Sequence, residues 1–332
     1  MTEDAFSGEY RRILSLVEES ERFLILGHVD ADGDCIGSML AIALFLRGRG
    51  KQVACFAPGG LPEIYNNFPG ADSFIPEVGL DDFGPDVIFA LDTPTLARTS
   101  DHLRSCEECR IVNIDHHLTN ERFGTIDIID HEAAAAAVIV YRFLASVAPD
   151  EITSEIADCL YLGIMMDTGG FRFQNTSEEA LATAAALVGR GARADELAHE
   201  FIHMHKYETL QLLALVLESI DILCDGRIAI MEVTREMLEK NGSTMADTEG
   251  FVDYASSIDN VLVSAFFREV GLEEVRISLR SRNHYDVAKV AEKYGGGGHR
   301  AAAGLTIRQG LTEAKSIIIA DLKALIPDCG CN

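Results

Sequence analysis

The chain has 332 residues, 48% hydrophobic and 24% charged, a composition that supports two globular domains and a sizeable core. No stretch approaches the roughly 18 uninterrupted apolar residues of a membrane span, and MTEDAFSGEYRR lacks the basic-then-apolar start of a signal peptide, so a cytoplasmic protein without membrane contact is expected. With 28 Lys+Arg against 53 Asp+Glu the formal charge is −25, which excludes a broad basic surface for long nucleic acid and leaves small anions held in a focused cleft.

Residues 9–20 carry Ile13, Leu14, Leu16 and Val17 at helical spacing. The apolar run 23–27 reads as a strand and leads directly into GHVDADGDCIGS. Residues 35–47 predict a helix that buries Ile36, Met39, Leu40, Ala43, Leu44 and Leu46. Strands are predicted over 53–57, 87–91 and 110–114. A helix of small and apolar residues is predicted over 133–146, and another over 156–166. Short apolar strands alternating with helices indicate an α/β domain with a mainly parallel sheet flanked by helices. In such sheets ligands collect at the carboxyl ends of the strands.

Residues 195–223, with Leu210, Leu213, Leu217 and Ile220 at helical spacing, read as a helical linker. Beyond it come strand-like runs at 227–233, 260–268, 274–279 and 305–307. Helices are expected over 286–294 and 312–325, the second stopped by Pro327. The division expected is a catalytic domain over 1–194, a connector over 195–223, and a smaller α/β substrate-binding domain over 224–332. Eight cysteines in a chain this long do not form a disulfide framework, and reduced thiols are expected. Cys106 and Cys109 have the spacing of half a zinc site with no second half nearby. Cys329 and Cys331 at the tail carry no clearer signal.

Four short motifs stand out. The first packs His28, Asp30, Asp32 and Asp34 into seven residues. Asp92 follows the strand 87–91 in FALDTP. Asp115-His116-His117 follows the strand 110–114, and Asp167 sits in GIMMDTGGF. Asp92 or Asp167 alone would be unremarkable, since a single Asp after a strand is often a helix cap. Two adjacent histidines beside an Asp at a strand end are hard to explain by packing. Together, His28, Asp32, Asp34, Asp92, His116 and Asp167 are too many ligands for one catalytic ion and suit two, which points to phosphate-ester hydrolysis. Imidazole among carboxylates favours Mn²⁺, with Mg²⁺ or Co²⁺ as alternatives. A calcium loop is a poorer reading, because this segment runs into a helix after Cys35 instead of ending in a Glu.

A second clue is the glycine run 295–298 followed by His299 and Arg300. Glycine lets backbone approach a ligand closely, and successive N–H groups in such a turn cradle anions.

These motifs, in this order, resemble the DHH phosphoesterases, named for the Asp-His-His triplet. The resemblance covers nearly the whole chain. VSAFFREV, VRISLRSR and GGGGHRAAAG resemble the DHHA1 substrate-binding domain. Within that branch the length resembles NrnA-type enzymes, which degrade very short RNAs and dephosphorylate 3′-phosphoadenosine 5′-phosphate (pAp). The resemblance implies that His28, Asp32 and Asp92 hold one metal, that Asp34, Asp92, His116 and Asp167 hold the other, and that Asp30 is not a ligand. It implies that His117 faces the substrate phosphate or leaving oxygen, with Asp115 orienting imidazole. It assigns Gly297, Gly298, His299 and Arg300 to substrate binding, with Arg280, Ser281 and Arg98 as further contacts. Arg268 would lie on the same face, whereas Phe171 and Phe173 read as core.

The expected activity is therefore hydrolysis of short oligoribonucleotides to mononucleotides, removal of the pAp 3′-phosphate, or both. The expected partners are short RNA or a phosphorylated nucleotide, and a second copy of the chain in a homodimer. A cleft between two domains would measure substrate length. Within the family, a phosphodiesterase of linear dinucleotides from cyclic dinucleotide signalling is the closest alternative. A RecJ-like single-strand exonuclease would carry additional domains. In a different class stands a non-catalytic nucleotide-binding regulator, which would require the loss of a ligand; every expected position is filled.

Overall fold

The computed structural model describes residues 5–77, 83–99, 110–282 and 285–326. Cys106, Cys109, Cys329 and Cys331 lie outside them. The chain divides into two compact units, Met1–Met204 and His205–Asn332. Among the described residues no helix is long and apolar enough to cross a membrane.

The first unit is built on a five-stranded sheet. In chain order its elements are α1 (Ser7–Glu19), β1 (Arg22–Leu26), α2 (Gly33–Gly48), β2 (Gln52–Phe56), β3 (Val87–Leu91), β4 (Arg110–Asp115), β5 (Ile126–Ile129), α3 (Ala136–Val147), α4 (Ser154–Asp167), α5 (Glu178–Gly189) and α6 (Ala194–Ala198). The strand order is β2-β1-β3-β4-β5, parallel throughout. β3 is buried along its whole length, as a central parallel strand covered on both faces must be. Order reverses between β1 and β3, which makes the crevice at their carboxyl ends the topological switch point.

Helices α2 and α4 pack unusually closely. A Cβ on Gly37 would lie 2.4 Å from the Cys159 carbonyl oxygen, and one on Gly163 would lie 2.7 Å from Ala137 Cβ. Only glycine permits this approach. It sets the start of α2, the start of α3 and the end of α4 side by side.

The second unit opens with α7 (Tyr207–Glu218), β6 (Asp221–Leu223), β7 (Ile228–Val233), α8 (Arg235–Asn241), α9 (Val252–Ser257), β8 (Val263–Gly271) and β9 (Glu274–Ser281). It closes with α10 (Ala288–Glu292), β10 (Gly297–His299), β11 (Ala302–Ile307) and α11 (Leu311–Leu325). Its sheet has the order β10-β11-β9-β8-β7-β6. Pairing is antiparallel except between β7 and β8. One face packs Ile277, Leu279, Leu305 and Ile307 against Ile318 and Leu322 of α11.

The fold is α/β, with a parallel-sheet unit followed by a second sheet unit. Local structure departs from the sequence expectation in several places. Residues 195–223 are not one helix: α6 passes into a π-helical turn at His199–His203, Met204 turns extended, α7 follows, and Asp221–Leu223 pairs as a strand edge. The helix expected from residue 133 starts at Ala136; residues 133–135 remain non-helical, and the Ala133 and Ala134 carbonyls serve the site described below. Among the described cysteines, Cys35, Cys55 and Cys159 are free and buried, whereas Cys224 is disulfide-bonded, a pairing that sequence spacing alone does not reveal.

Candidate metal centre

Each ligand-type side chain is placed by the end of a regular element. His28 lies two residues past β1, Asp92 immediately follows β3, and His116 immediately follows β4. These are three neighbouring strands. Asp32 is the N-cap of α2, its Oδ1 accepting from the Asp34 and Cys35 amides at 3.1 Å each. Asp34 sits in the first turn of α2, and Asp167 ends α4.

Asp92 is the hub. It is 2% exposed, and its backbone takes φ 51°, a left-handed conformation that Asp tolerates better than most residues. Its Oδ2 lies 3.4 Å from His28 Nε2, and its Oδ1 lies 3.4 Å from His116 Nε2. Asp92 Oδ1 is buried with no hydrogen-bond partner. His116 Nε2 is also 3.8 Å from Asp167 Oδ2 and 4.0 Å from Asp34 Oδ2.

The two imidazoles are oriented alike. His28 Nδ1 is 2.7 Å from the Val29 carbonyl, and His116 Nδ1 is 3.2 Å from the Ala133 carbonyl. A carbonyl only accepts, so each Nδ1 carries the hydrogen and each Nε2 faces the carboxylates. That is the arrangement by which outer hydrogen bonds present imidazole to a cation. Ligand-type atoms from His28, Cys35 and Asp92, from Asp34, His116 and Asp167, and from Asp92, His116 and His117 form three groups within 4.8 Å. Asp32 falls outside these groups, and Asp30 is exposed in a left-handed turn.

The electrostatics fit cation binding. Burial pushes the Asp167 carboxyl up to about 7, and Asp92 and Asp32 add repulsion that His116 only partly offsets. Burial likewise holds Asp34 well above the usual carboxylate range, with Asp92 and Asp167 adding to it. Asp32, although at an exposed position, is raised by the dense protein around its carboxylate and by Asp92. For Asp92 burial acts upward too, but the neighbouring imidazoles of His116 and His28 outweigh it and hold the group down. Burial lowers His28 and His116, yet Asp92 beside them leaves both above the ordinary imidazole value. Buried carboxylates crowded this way retain protons where a divalent ion would otherwise balance their charge.

Asp34 has a second task. Its carboxylate accepts from the Ala136 and Ala137 amides at 2.5 and 2.9 Å, capping α3, whose own N-cap residue Ala135 has no side chain to do so. Asn175 ties the same corner by donating to the Ala134 and Asp167 carbonyls at 3.1 and 3.0 Å.

His117 is held differently from His116. Its Nδ1 donates to Asp115 Oδ1 at 2.7 Å. Asp115 is fully buried and also accepts from the His116 amide at 2.8 Å and from Asn120 Nδ2 at 2.6 Å. Asn120 in turn donates to the Thr93 carbonyl and accepts from Asn113, which links the ends of β3 and β4. Sequence reading missed Asn120, Asn175 and Cys35; the one available signal was the amide of Asn120 close after the Asp-His-His triplet. Arg98 Nη2 stands 3.5 Å from His28 Nδ1. Because that nitrogen's hydrogen is directed at Val29, the contact brings a positive charge close and is not a hydrogen bond. The Arg98 carbonyl also accepts from the Val29 amide at 2.8 Å, anchoring the first loop. Phe171 packs on the first core, whereas Phe173 is 42% exposed and does not take the core role expected of it.

The remaining candidates all lie in the second unit. His299 pairs with Ala302, Ala302 with Arg280, and Arg280 with Ser264, one row across four strands. Arg280 Nε donates to Asp253 at 3.2 Å. Ser281 Oγ donates to the Tyr285 carbonyl at 2.7 Å. Arg268 pairs with Arg276 on neighbouring strands; burial and the charges of Arg276 and Arg280 hold its guanidinium below the usual value. Arg300 is exposed in the turn after β10. Within the glycine run the roles divide. A Cβ on Gly298, at φ 140°, would lie 2.5 Å from the Ala302 carbonyl oxygen, so strand pairing requires that glycine; Gly297 faces open space.

A parallel sheet with carboxylates and imidazoles gathered at its switch point defines a phosphoesterase. Residues 22–164 match the DHH family N-terminal domain, and residues 225–326 match the DHHA1 domain. The chain belongs to the DHH/DHHA1 phosphoesterase family. It is 34% identical, over 86% of its length and 83% of the relative's, to the bifunctional oligoribonuclease and PAP phosphatase NrnA of Thermus thermophilus. Its structure is similar to that of an exopolyphosphatase-related protein from Bacteroides fragilis, with a TM-score of 0.91, 29% identity and 98% of each chain covered. It shares its fold with RecJ of Thermus thermophilus solved with Mn²⁺, with a TM-score of 0.58, 12% identity, 99% of this chain and 56% of that one.

Proposed function

We propose that this phosphoesterase hydrolyses short oligoribonucleotides to mononucleotides and removes the 3′-phosphate of pAp, using two divalent ions with Mn²⁺ preferred. The single observation that carries the metal assignment is Asp92, whose two carboxylate oxygens each approach a different imidazole Nε2 at 3.4 Å while Oδ1 has no hydrogen bond. The substrate assignment is supported by the 34% identity to a relative named for both activities.

In this reading His28, Asp32 and Asp92 hold one ion, and Asp34, Asp92, His116 and Asp167 hold the other. When bound, such a pair acidifies water and neutralises phosphate oxygens. The chain itself supplies orientation. The Val29 and Ala133 carbonyls keep His28 and His116 in the Nδ1–H tautomer. Asp115 fixes the His117 ring through Nδ1, so that a protonated His117 presents its Nε2 hydrogen to the leaving oxygen. Arg98, Arg280, Ser281, Gly297, Gly298, His299 and Arg300 are the proposed substrate contacts. The charge of −25 accords with short substrates, since a long polyanion would be repelled by the surrounding surface.

The test is a Mn²⁺-dependent panel of pAp, a 5′-phosphorylated diribonucleotide, a pentaribonucleotide, a long single strand and pyrophosphate. The expected order puts pAp and the short RNAs well ahead. Fastest turnover on the long strand would refute the length preference.

A further inference from the structure

Helix α7 buries Leu212, Leu213 and Val216 in its own unit, in one core with Met231, Val233 and Phe251. Its outer side is apolar as well. Tyr207, Leu210 and Leu217 are 70%, 47% and 36% exposed, and Ala214 is exposed between them. At about 100° per residue these four fall within an arc of about 80° and form one stripe along the helix. A surface helix ordinarily turns a polar face outward. The stripe is also symmetric about the level of Leu212, with Leu210 and Ala214 flanking that level and Tyr207 and Leu217 equally far beyond them. The helix ends carry charge in the reverse of the favourable sense. Lys206, the N-cap, places a cation at the positive end of the helix dipole, and Glu218, the last residue, places an anion at the negative end. Both are exposed. Among the described residues neither side chain enters an ion pair.

We infer that the outer face of α7 docks a second copy of this chain, the two α7 helices pairing antiparallel about a twofold axis at the level of Leu212. That register sets Tyr207 against Leu217 of the partner subunit and Leu210 against Ala214 of the partner subunit, each contact made twice, as a twofold interface requires. The small Ala214 lets the helices approach closely. Lys206 then lies beside Glu218 of the partner subunit at both ends of the contact. Each charge that is misplaced on its own helix meets the opposite charge, and the favourable dipole end, of the other. Parallel pairing would bring like charges together instead. An anionic lipid surface does not fit the stripe, because Glu208, Glu218 and Asp221 border it in a chain of charge −25. The twelve residues of α7 span about 18 Å, so the contact is smaller than a standard interface and the dimer is weak, with a dissociation constant on the order of tens of micromolar. The proposal is independent of the metal-centre reading.

The experiment is sedimentation equilibrium of the full-length protein across a concentration series, with folding of every variant verified by circular dichroism. The wild type is expected to pass from monomer to dimer as concentration rises. Leu210→Glu, which would bury an unpaired charge in each copy, is expected to weaken the dimer at least about tenfold. Leu215→Glu is the control: Leu215 is 38% exposed but lies off the stripe, and the dimer should be unchanged. Lys206→Glu sets like charges against each other at both ends and is expected to weaken the dimer about three- to tenfold. The double variant Lys206→Glu/Glu218→Lys reverses both partners of each pair and is expected to restore it. A wild type that stays monomeric well above 100 µM, roughly ten times the expected range, overturns the proposal. So does a dimer that Leu210→Glu leaves intact, one that Leu215→Glu disrupts equally, or a double variant no tighter than Lys206→Glu alone.

Discussion

Gly163→Ala tests whether helix packing sets the metal centre. The added Cβ would meet Ala137 Cβ at 2.7 Å and Asp34 Oδ1 at 2.8 Å, whereas ordinary van der Waals contact begins at 3.4 Å. α4 must therefore retreat from α2 and α3 by about 0.7 Å, or Asp34 must swing away from Asp167 and His116. Overpacking of this size costs about 1–3 kcal/mol. Replacing a mid-helix glycine with alanine returns about 1 kcal/mol of helix propensity. The net loss of stability is then only about 0–2 kcal/mol, and the protein still folds. Function is far less tolerant, because a misplacement near 1 Å costs on the order of a hundredfold. Urea denaturation of the metal-free protein, paired with Mn²⁺ titrations of pAp hydrolysis, separates the two effects. The expected result is a small change in midpoint with a roughly 10- to 100-fold loss of kcat or Mn²⁺ affinity. A variant that is more stable and fully active would refute the reasoning, since it would mean the helices have room to spare.

Asp92→Ala is expected to reduce Mn²⁺-dependent turnover to the blank, because one side chain serves both ends of the centre; a near-normal rate would contradict that role. Asn120→Ala leaves the Asp115 carboxylate and the Thr93 carbonyl each short of a donor, which costs about 1–3 kcal/mol; kcat should fall while Mn²⁺ affinity, measured calorimetrically, stays put. Metal binding should be pH-dependent with a definite sign. The Asp167 carboxyl, raised to about 7 in the metal-free protein, keeps its proton below that pH, so an incoming ion must displace it. Apparent Mn²⁺ affinity is expected to fall by about tenfold per pH unit per displaced proton below pH 7. Calorimetry in two buffers of different ionisation enthalpy reads the proton release directly. Finally, Gly298→Ala should destabilise the second unit by about 1–3 kcal/mol through clash and strain. Gly297→Ala should leave its melting temperature unchanged while raising KM for pAp.

The sequence made the sheet of the first unit readable because its strands are short apolar runs each ending at a polar motif. That placement follows from parallel topology, which puts β1, β3 and β4 side by side with their carboxyl ends aligned. What the sequence hid was any feature set by contact between distant segments. The alanines at 133–137 read as a helix start, whereas three of them stay non-helical and the helix is capped by Asp34 from a hundred residues earlier. Asp32 looks like its neighbours in the motif but also serves as a cap, a distinction visible only once the Asp34 and Cys35 amides are located. The glycine run reads as uniform, yet Gly298 is needed for strand pairing and Gly297 faces open space.

The ligand-type residues come from segments between His28 and Asp167, carried by three strands and two helices. Among the described residues no local hairpin or helix carries all the ligand-type groups of the centre, so it exists only after the parallel sheet has assembled. Such long-range pairing is the slow part of chain organisation. A cation with nothing to grip before that point stabilises the finished unit and not the transition state leading to it. Added Mn²⁺ is therefore expected to slow unfolding of the first unit while leaving its refolding rate untouched, so that the ion acts as a kinetic lock, closed last and opened first.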